Sequence, residues 1–296
     1  MTQLYSLPAS NKTDESARLE FQHRIAVVDA DGALHLCPLP SPLDRVADIG
    51  AGTGVWAREF AALHPEAKIT CLDLTAPADF KARAPPNTEF VIANIQEPWP
   101  FPAEHRLDFI HGAQILINVP DPKAVLARAY ESLRPGGAIE FREFIGFPGP
   151  KSVQQGGEIP LICEWGKRFN DGANMLNGCD HRYAAKLPND IEEAGFVDVH
   201  VVESSFPLGG WVMDGVEEGS KDHERMAKMD AMQIELFRNT AFDLSKAMFE
   251  KAYGWSEDET KDLVRRMFEE VDREDFKERK AWWGFRIVWA RKPEDK

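Results

Sequence analysis

A doubly wound, mostly parallel α/β sheet is the fold this sequence predicts, and three observations predict it. Short apolar runs alternate with helix-length patterns from Arg45 to about Phe147. The run RVADI passes through glycine-rich IGAGTG straight into WAREFAALH, which reads as strand, tight turn and helix. Two further apolar runs, FVDVHVV at 196–202 and GFRIVWARK at 284–292, return after long helical stretches. Strands that alternate with helices of this length pair in parallel through right-handed crossovers.

Residues 1–44 read as an N-terminal arm covering the site. A helix near Asp14–Val28 is expected from Leu19, Gln22, His23, Ala26 and Val27, which recur at three and four residues, before the proline-punctuated CPLPSPLDR. The core, 45–147, follows as RVADI, WAREFAALH, KITCLDL, TEFVIANI, LDFIHGA, AVLARAYESL and AIEFREF. The helix Pro122–Leu133 is expected to stop at Arg134-Pro135-Gly136-Gly137, because proline cannot continue it and glycine accepts a left-handed cap. From 148 to 296 the chain is more helical. GFPGP at 146–150 and NDGANMLNG at 170–178 read as turns, a helix runs up to Gly195, and long helices cover roughly 221–275. The late strands are expected to rejoin the sheet, which makes about 148–185 and 204–280 helical lid insertions on the substrate side. In the last helix Leu263, Met267 and Val271 form an apolar stripe, while Glu257/Lys261, Asp262/Arg266, Glu269/Arg273 and Asp275/Arg279 pair acid-first on a solvated face.

With 296 residues, 43% of them hydrophobic and 28% charged, the chain has the composition of one large or two smaller soluble domains. Lys plus Arg number 35 against 49 Asp plus Glu, a formal charge of −14 that repels phosphate backbones and anionic lipid. Nucleic acid and membrane are therefore not expected as partners. FIHGAQILINV at 109–119 is too short for a membrane helix, MTQLYSLPAS has no secretory pattern, and Cys37, Cys71, Cys163 and Cys179 form no C-x-x-C pair. A cytoplasmic address with reduced thiols is expected, and a nuclear one is compatible; oligomeric state is left open. Metal ligation is not expected, since the chain has no H-E-x-x-H, no paired Cys and no His pair at i,i+4.

The chemistry concentrates at Asp48-Ile49-Gly50-Ala51-Gly52-Thr53-Gly54. Glycine at alternate positions lets backbone approach a ligand closely, and the following helix presents free N–H groups. A dinucleotide fingerprint requires its third glycine one residue later, where this chain has Val55. Asp73 ends the next strand, 23 residues after Gly50, where a carboxylate can accept both hydroxyls of a ribose; Leu74 follows it. Asn94-Ile95 closes the third strand, and His111 lies near the end of the fourth. These groups meet outside the strand carboxyl ends, where open α/β sheets bind ligands.

The acid-preceded G-x-G-x-G turn resembles the first motif of class I S-adenosylmethionine-dependent methyltransferases. A closer resemblance covers nearly the whole chain: RLEFQH at 18–23, DGALHLCPL at 31–39, VADIGAGTGVWAREFA at 46–61, QEPWPFP at 96–102, LDFIH at 107–111, LRPGGAIEFREF at 133–144, EEAGFVDV at 192–199, FPLGGW at 206–211, YGWSEDE at 253–259 and ARKP at 290–293. Through these the sequence resembles the fungal LaeA-like methyltransferases, many of which belong to secondary-metabolite pathways. The resemblance implies a Rossmann-like seven-stranded sheet of order 3-2-1-4-5-7-6. It implies S-adenosyl-L-methionine as cofactor and S-adenosyl-L-homocysteine as product, held by Asp48, Gly50, Ala51, Gly52, Thr53, Gly54, Asp73, Leu74, Asn94, Ile95 and His111. Asn94 stands where the family pattern has an acid for the adenine amine; its side-chain carbonyl is a weaker acceptor.

The activity so implied is methyl transfer to O, N, S or activated C of a small, apolar secondary metabolite. In-line displacement needs the nucleophile about 3–3.5 Å from the methyl carbon, and a general base only for weakly acidic acceptors. His111, Glu143, His23 and His181 are the candidates for that base, each with an ordinary structural reading beside it. Trp211, Trp165 and Phe169 are candidates for acceptor contact, with Trp255, Trp282 and Trp283 nearby in sequence; aromatics at such positions equally suit a lid core. Two alternatives stay open: a cofactor-binding protein that catalyses a non-methylating rearrangement or cyclisation, and a regulator that acts through a protein partner.

Overall fold

The computed structural model describes residues 12–102, 106–145 and 159–294, so the stretch 1–10 and the expected turn at 146–150 lie outside the described residues. The helices are α1 (Lys12–Asp29), α2 (Val55–Leu63), α3 (Phe80–Arg83), α4 (Pro122–Ser132), α5 (Leu161–Asn177), α6 (Leu187–Glu193), α7 (Lys221–Tyr253) and α8 (Glu257–Val271). The strands are β1 (Arg45–Ile49), β2 (Lys68–Asp73), β3 (Thr88–Ile92), β4 (Leu107–Ala113), β5 (Leu133–Phe144), β6 (Val197–Pro207) and β7 (Trp282–Arg291). They form one seven-stranded sheet of order β3-β2-β1-β4-β5-β7-β6, the order the resemblance implies. β1 through β5 pair in parallel. No helix among the described residues is long and apolar enough to cross a membrane.

The chain divides into two compact units, one of Ala30–Phe144, Tyr183–Glu203 and Arg286–Lys296, the other of the residues up to Asp29, Ile145–Arg182 and Ser204–Phe285. In the first unit the two-residue period of a strand sorts side chains to opposite faces. Val46, Ile69, Cys71, Phe109 and Ala138 join Trp56, Ala57 and Phe60 of α2 in one core cluster. Ala47, Leu72, Ile110 and Ile139 join Val125, Leu126 and Ala129 of α4 and Leu187 and Ile191 of α6 in another. Apolar burial on both faces is what a parallel sheet requires.

The second unit is mainly helical, with α7 packed on α1, α5 and α8, and α5 on α8. Ser220 caps α7 by accepting from the His223 N–H at 3.2 Å, and Ser256 with Glu259 forms a reciprocal capping box on α8. The four cysteines are unpaired and buried.

The structure corrects three local expectations. α4 ends at Ser132, and Leu133 turns at once into extended backbone with ψ 145, so no glycine cap is used. Gly136, at φ 72, instead serves a bulge in β5, where pairing with β4 jumps from Leu107↔Leu133 to Phe109↔Ala138. Residues 170–177 are helix rather than turn. Ile162, Trp165, Gly166, Asn170 and Ala173 give α5 a buried face, and Gly178 caps it at φ 72. On α8, Lys261 meets Glu257 at 2.7 Å and Arg266 meets Asp262 at 3.6 Å as expected, whereas Glu269 pairs with Arg265 and Asp275 with Arg273.

Candidate functional site

The turn after β1 is built on left-handed backbone. Gly50, Gly52 and Gly54 have φ of 67, 55 and 67, a region that L side chains rarely adopt. A Cβ on Gly50 would lie 2.5 Å from the Ile115 side chain, and one on Gly54 would lie 2.6 Å from the Phe80 ring. The N–H groups of Gly50 and Ala51 donate to the Leu72 carbonyl at 2.8 and 3.1 Å, which pins the turn to β2. Gly54 is the N-cap of α2, so the helix starts where the turn ends. Thr53 is buried, and its hydroxyl has no partner among the described residues.

Asp73 ends β2, and its carboxylate accepts the Gly52 N–H at 2.8 Å and the Thr75 N–H at 3.3 Å. Burial pushes the carboxyl above its usual range, opposed by these N–H groups. Beside it Leu74 is 42% exposed, and Ile92, the register partner of Asp73 on β3, is 68% exposed. Exposed large apolar side chains flanking a held carboxylate fit a ligand with a flat apolar ring and a hydroxylated sugar. Asn94 Oδ1 accepts the Gln96 N–H at 3.0 Å and so shapes the turn after β3, with a second lone pair left. The Ile95 side chain is buried in the core, which leaves its backbone as the part able to face a ligand. Trp99 fixes that backbone by donating Nε1–H to the Ile95 carbonyl at 2.8 Å.

Asp48 and His111 are direct register partners on β1 and β4. Asp48 Oδ1 lies 2.8 Å from His111 Nδ1, with both residues buried. The indole of Trp56 stacks on the imidazole at 3.8 Å and 4°, and donates to the Leu34 carbonyl at 2.8 Å. His111 is thus held by Asp48 of β1 on one side and by the Trp56 ring of α2 on its face. Glu140, also buried, accepts the N–H groups of Leu36 and Cys37 at 2.8 and 2.6 Å, which ties the DGALHLCPL segment to β5.

Glu143, at the end of β5, is fully buried. Its Oε1 accepts the N–H groups of Ile115 and Leu116 at 3.2 and 2.8 Å, and Oε2 has no partner among the described residues. Burial pushes its carboxyl up to about 8, opposed by the N–H groups that it accepts.

The structure thus brings together Asp48, the glycine turn, Asp73, Leu74, Asn94, Ile95, His111 and Glu143 in the first unit. His23, Trp165, Phe169, His181 and Trp211 lie in the second. His23 is half-buried on α1. Trp165 is a core residue, buried and bonded to Ser245 Oγ at 2.6 Å. Phe169 stacks on it at 5.2 Å and stays half-buried. Trp211 donates to the Ala281 carbonyl at 2.5 Å, and the preceding Gly209 and Gly210 give their N–H groups to Asp230 on α7. The Trp56 stack and the Glu140 tether were not foreseen. Their only sequence signal is an aromatic at the start of the helix after the glycine turn and an acid in a strand buried on both faces.

Residues 46–137 match the family model described as Methyltransferase domain. The chain is 27% identical over 281 residues to the "Probable methyltransferase tdiE" of Emericella nidulans, across 94% of this chain and 82% of that protein. It is 28% identical over 299 residues to the "Secondary metabolism regulator laeA" of Aspergillus flavus, across 98% of this chain and 74% of that protein. Among solved structures it resembles Phosphoethanolamine N-methyltransferase 2 of Haemonchus contortus, in complex with S-adenosyl-L-methionine. That likeness has a TM-score of 0.56 and 14% identity over 99% of this chain, which spans 61% of that longer one, and it shows the shared fold.

Proposed function

We infer that this chain, a class I S-adenosylmethionine-dependent methyltransferase of the fungal LaeA-like type, methylates a small molecule of secondary metabolism. The observation that carries the reading is the left-handed glycine turn locked by Gly52 N–H to the Asp73 carboxylate, beside exposed Leu74 and Ile92. When bound, the cofactor supplies an electrophilic methyl on a sulfonium centre. The glycines at alternate positions of the turn let the amino-acid portion approach its backbone closely. Asp73 accepts the ribose hydroxyls, while Leu74 and Ile92 offer apolar contact to the base. Asn94 Oδ1 and the Ile95 backbone read the polar edge of that base.

His111 acts as a positioning residue, held by Asp48 and Trp56, and Glu143 positions the loop after β4 through the Ile115 and Leu116 N–H groups. Catalysis then rests on orientation rather than on a strong base, the arrangement that suits an acceptor already acidic or nucleophilic. The test is incubation of the full chain with methyl-labelled S-adenosylmethionine and a small-molecule extract of the source organism. The reading expects S-adenosylhomocysteine to form in step with a labelled product. Acceptor consumption without S-adenosylhomocysteine would overturn it in favour of a non-methylating conversion.

A further inference from the structure

The helical unit contains buried polar atoms that the fold leaves without partners, set along an array of aromatic rings. Asn170 on α5 is 5% exposed, and its Oδ1 accepts the His181 N–H at 2.7 Å. A backbone N–H only donates, so the atom facing it is the amide oxygen, and Nδ2 with its two hydrogens is the atom turned away. Asn170 Nδ2 and His181 Nε2 are both buried with no hydrogen-bond partner among the described residues. The Phe169 ring lies 5.2 Å from the imidazole, Trp165 stacks on Phe169 at 5.2 Å, and the edge of Phe237 meets Trp165 at 5.3 Å. One turn before Phe237 on α7, Gln233 Oε1 is likewise buried without a partner.

Buried donors left unmade destabilise a fold, so side chains kept in this condition point to a ligand that completes them. Burial lowers the His181 pKa to about 4, so its ring is neutral and carries one N–H at physiological pH. Neither group offers a fixed charge, which argues against a carboxylate or phosphate and for a neutral oxygen. The rings beside them are planar and apolar. We propose that Asn170, His181 and Phe169 form a recognition site for a planar conjugated molecule that presents a carbonyl or phenolic oxygen to Asn170 Nδ2. The proposal rests on the methyltransferase reading for its biological sense and names the acceptor class as oxygenated and aromatic, more polar than a purely apolar metabolite.

The probes are 2-acetylnaphthalene and 2-ethylnaphthalene, which share shape and differ by one carbonyl oxygen. Each is titrated by tryptophan quenching against the full chain, with and without S-adenosylhomocysteine. The wild type is expected to bind the ketone at least tenfold tighter. Asn170→Asp keeps the oxygen that faces the His181 N–H and turns the donor into an acceptor, so it should abolish the preference. His181→Phe keeps the ring contact and should reduce the preference without lowering Tm, because it removes an unpartnered polar atom. Equal affinities in the wild type, no saturable binding of either probe, or a preference that survives both substitutions would overturn the proposal. Calorimetry of S-adenosylhomocysteine on the same samples separates the two readings. Loss of that binding in the wild type overturns the methyltransferase reading, while the probe preference decides the recognition site.

Discussion

The backbone N–H of Gly52 donates to the Asp73 carboxylate at 2.8 Å, so the glycine turn and the end of the second strand hold each other in place. A carboxylate fixed by protein backbone needs no reorganisation to receive a diol, and on the proposed reading the turn it fixes is the surface that the rest of the cofactor approaches.

Asp73→Ala removes both the ribose acceptor and the Gly52 tether. Affinity for S-adenosylhomocysteine should fall by about 10- to 150-fold, the worth of charge-assisted bonds of about 1.5–3 kcal/mol. Asp73→Asn keeps a neutral acceptor for the tether and should lose less. Unchanged affinity in Asp73→Ala, read by calorimetry, would place the nucleoside elsewhere.

Gly50→Ala brings a Cβ within 2.5 Å of the Ile115 side chain, at a φ of 67. The clash and the backbone strain add, and the left-handed part alone is about 1–2 kcal/mol. Ile115→Ala in the same chain should restore part of the lost Tm, because it clears the clash and leaves the strain. No recovery in the double variant would mean that strain alone governs the position.

His111→Ala should act on stability before rate. It leaves the buried Asp48 side chain without its imidazole partner and removes the ring stacked on Trp56, a loss of about 3–5 kcal/mol. Pairing it with Asp48→Asn should recover much of the Tm. A variant of unchanged Tm with turnover reduced a hundredfold would instead make His111 a proton-transfer group.

Glu143 makes stability fall as pH rises from about 4.5 to about 8. Its folded pKa, about 8, lies above the ordinary 4.5, so the stability contributed by its neutral form is present below pH 4.5 and lost as pH rises toward 8, at about 1.4 kcal/mol per unit crossed. His181 has the opposite sense. Its folded value of about 4 lies below 6.5, so stability is lost as pH falls through that window. Glu143→Gln retains an oxygen for the Ile115 and Leu116 N–H groups and should exceed the wild type in Tm by a margin that widens from pH 5 to pH 8. A constant margin would contradict the burial argument.

The sheet, the left-handed glycine turn and the acid that ends β2 were legible because all three follow from local pattern. Two-residue alternation, glycines at alternate positions and an acid at a strand end depend on neighbours in sequence. What was not legible depended on distant partners. NDGANMLNG has the composition of a turn, yet Gly172 lets α5 approach Met248 of α7, and tertiary packing overrides local preference there. His111 stands at a strand end as a catalytic base would, and only the register of β1 against β4 shows that Asp48 meets it. Trp165 sits in sequence where a lid aromatic would, and its bond to Ser245, 80 residues away, makes it core.

The most direct test is calorimetric titration of the full chain with S-adenosylmethionine, S-adenosylhomocysteine and NAD in parallel. Micromolar binding of the two adenosyl-sulfur ligands and none of NAD is the result expected from a turn with Val55 in place of the third dinucleotide glycine. Binding of NAD, or of none of the three, would contradict the account.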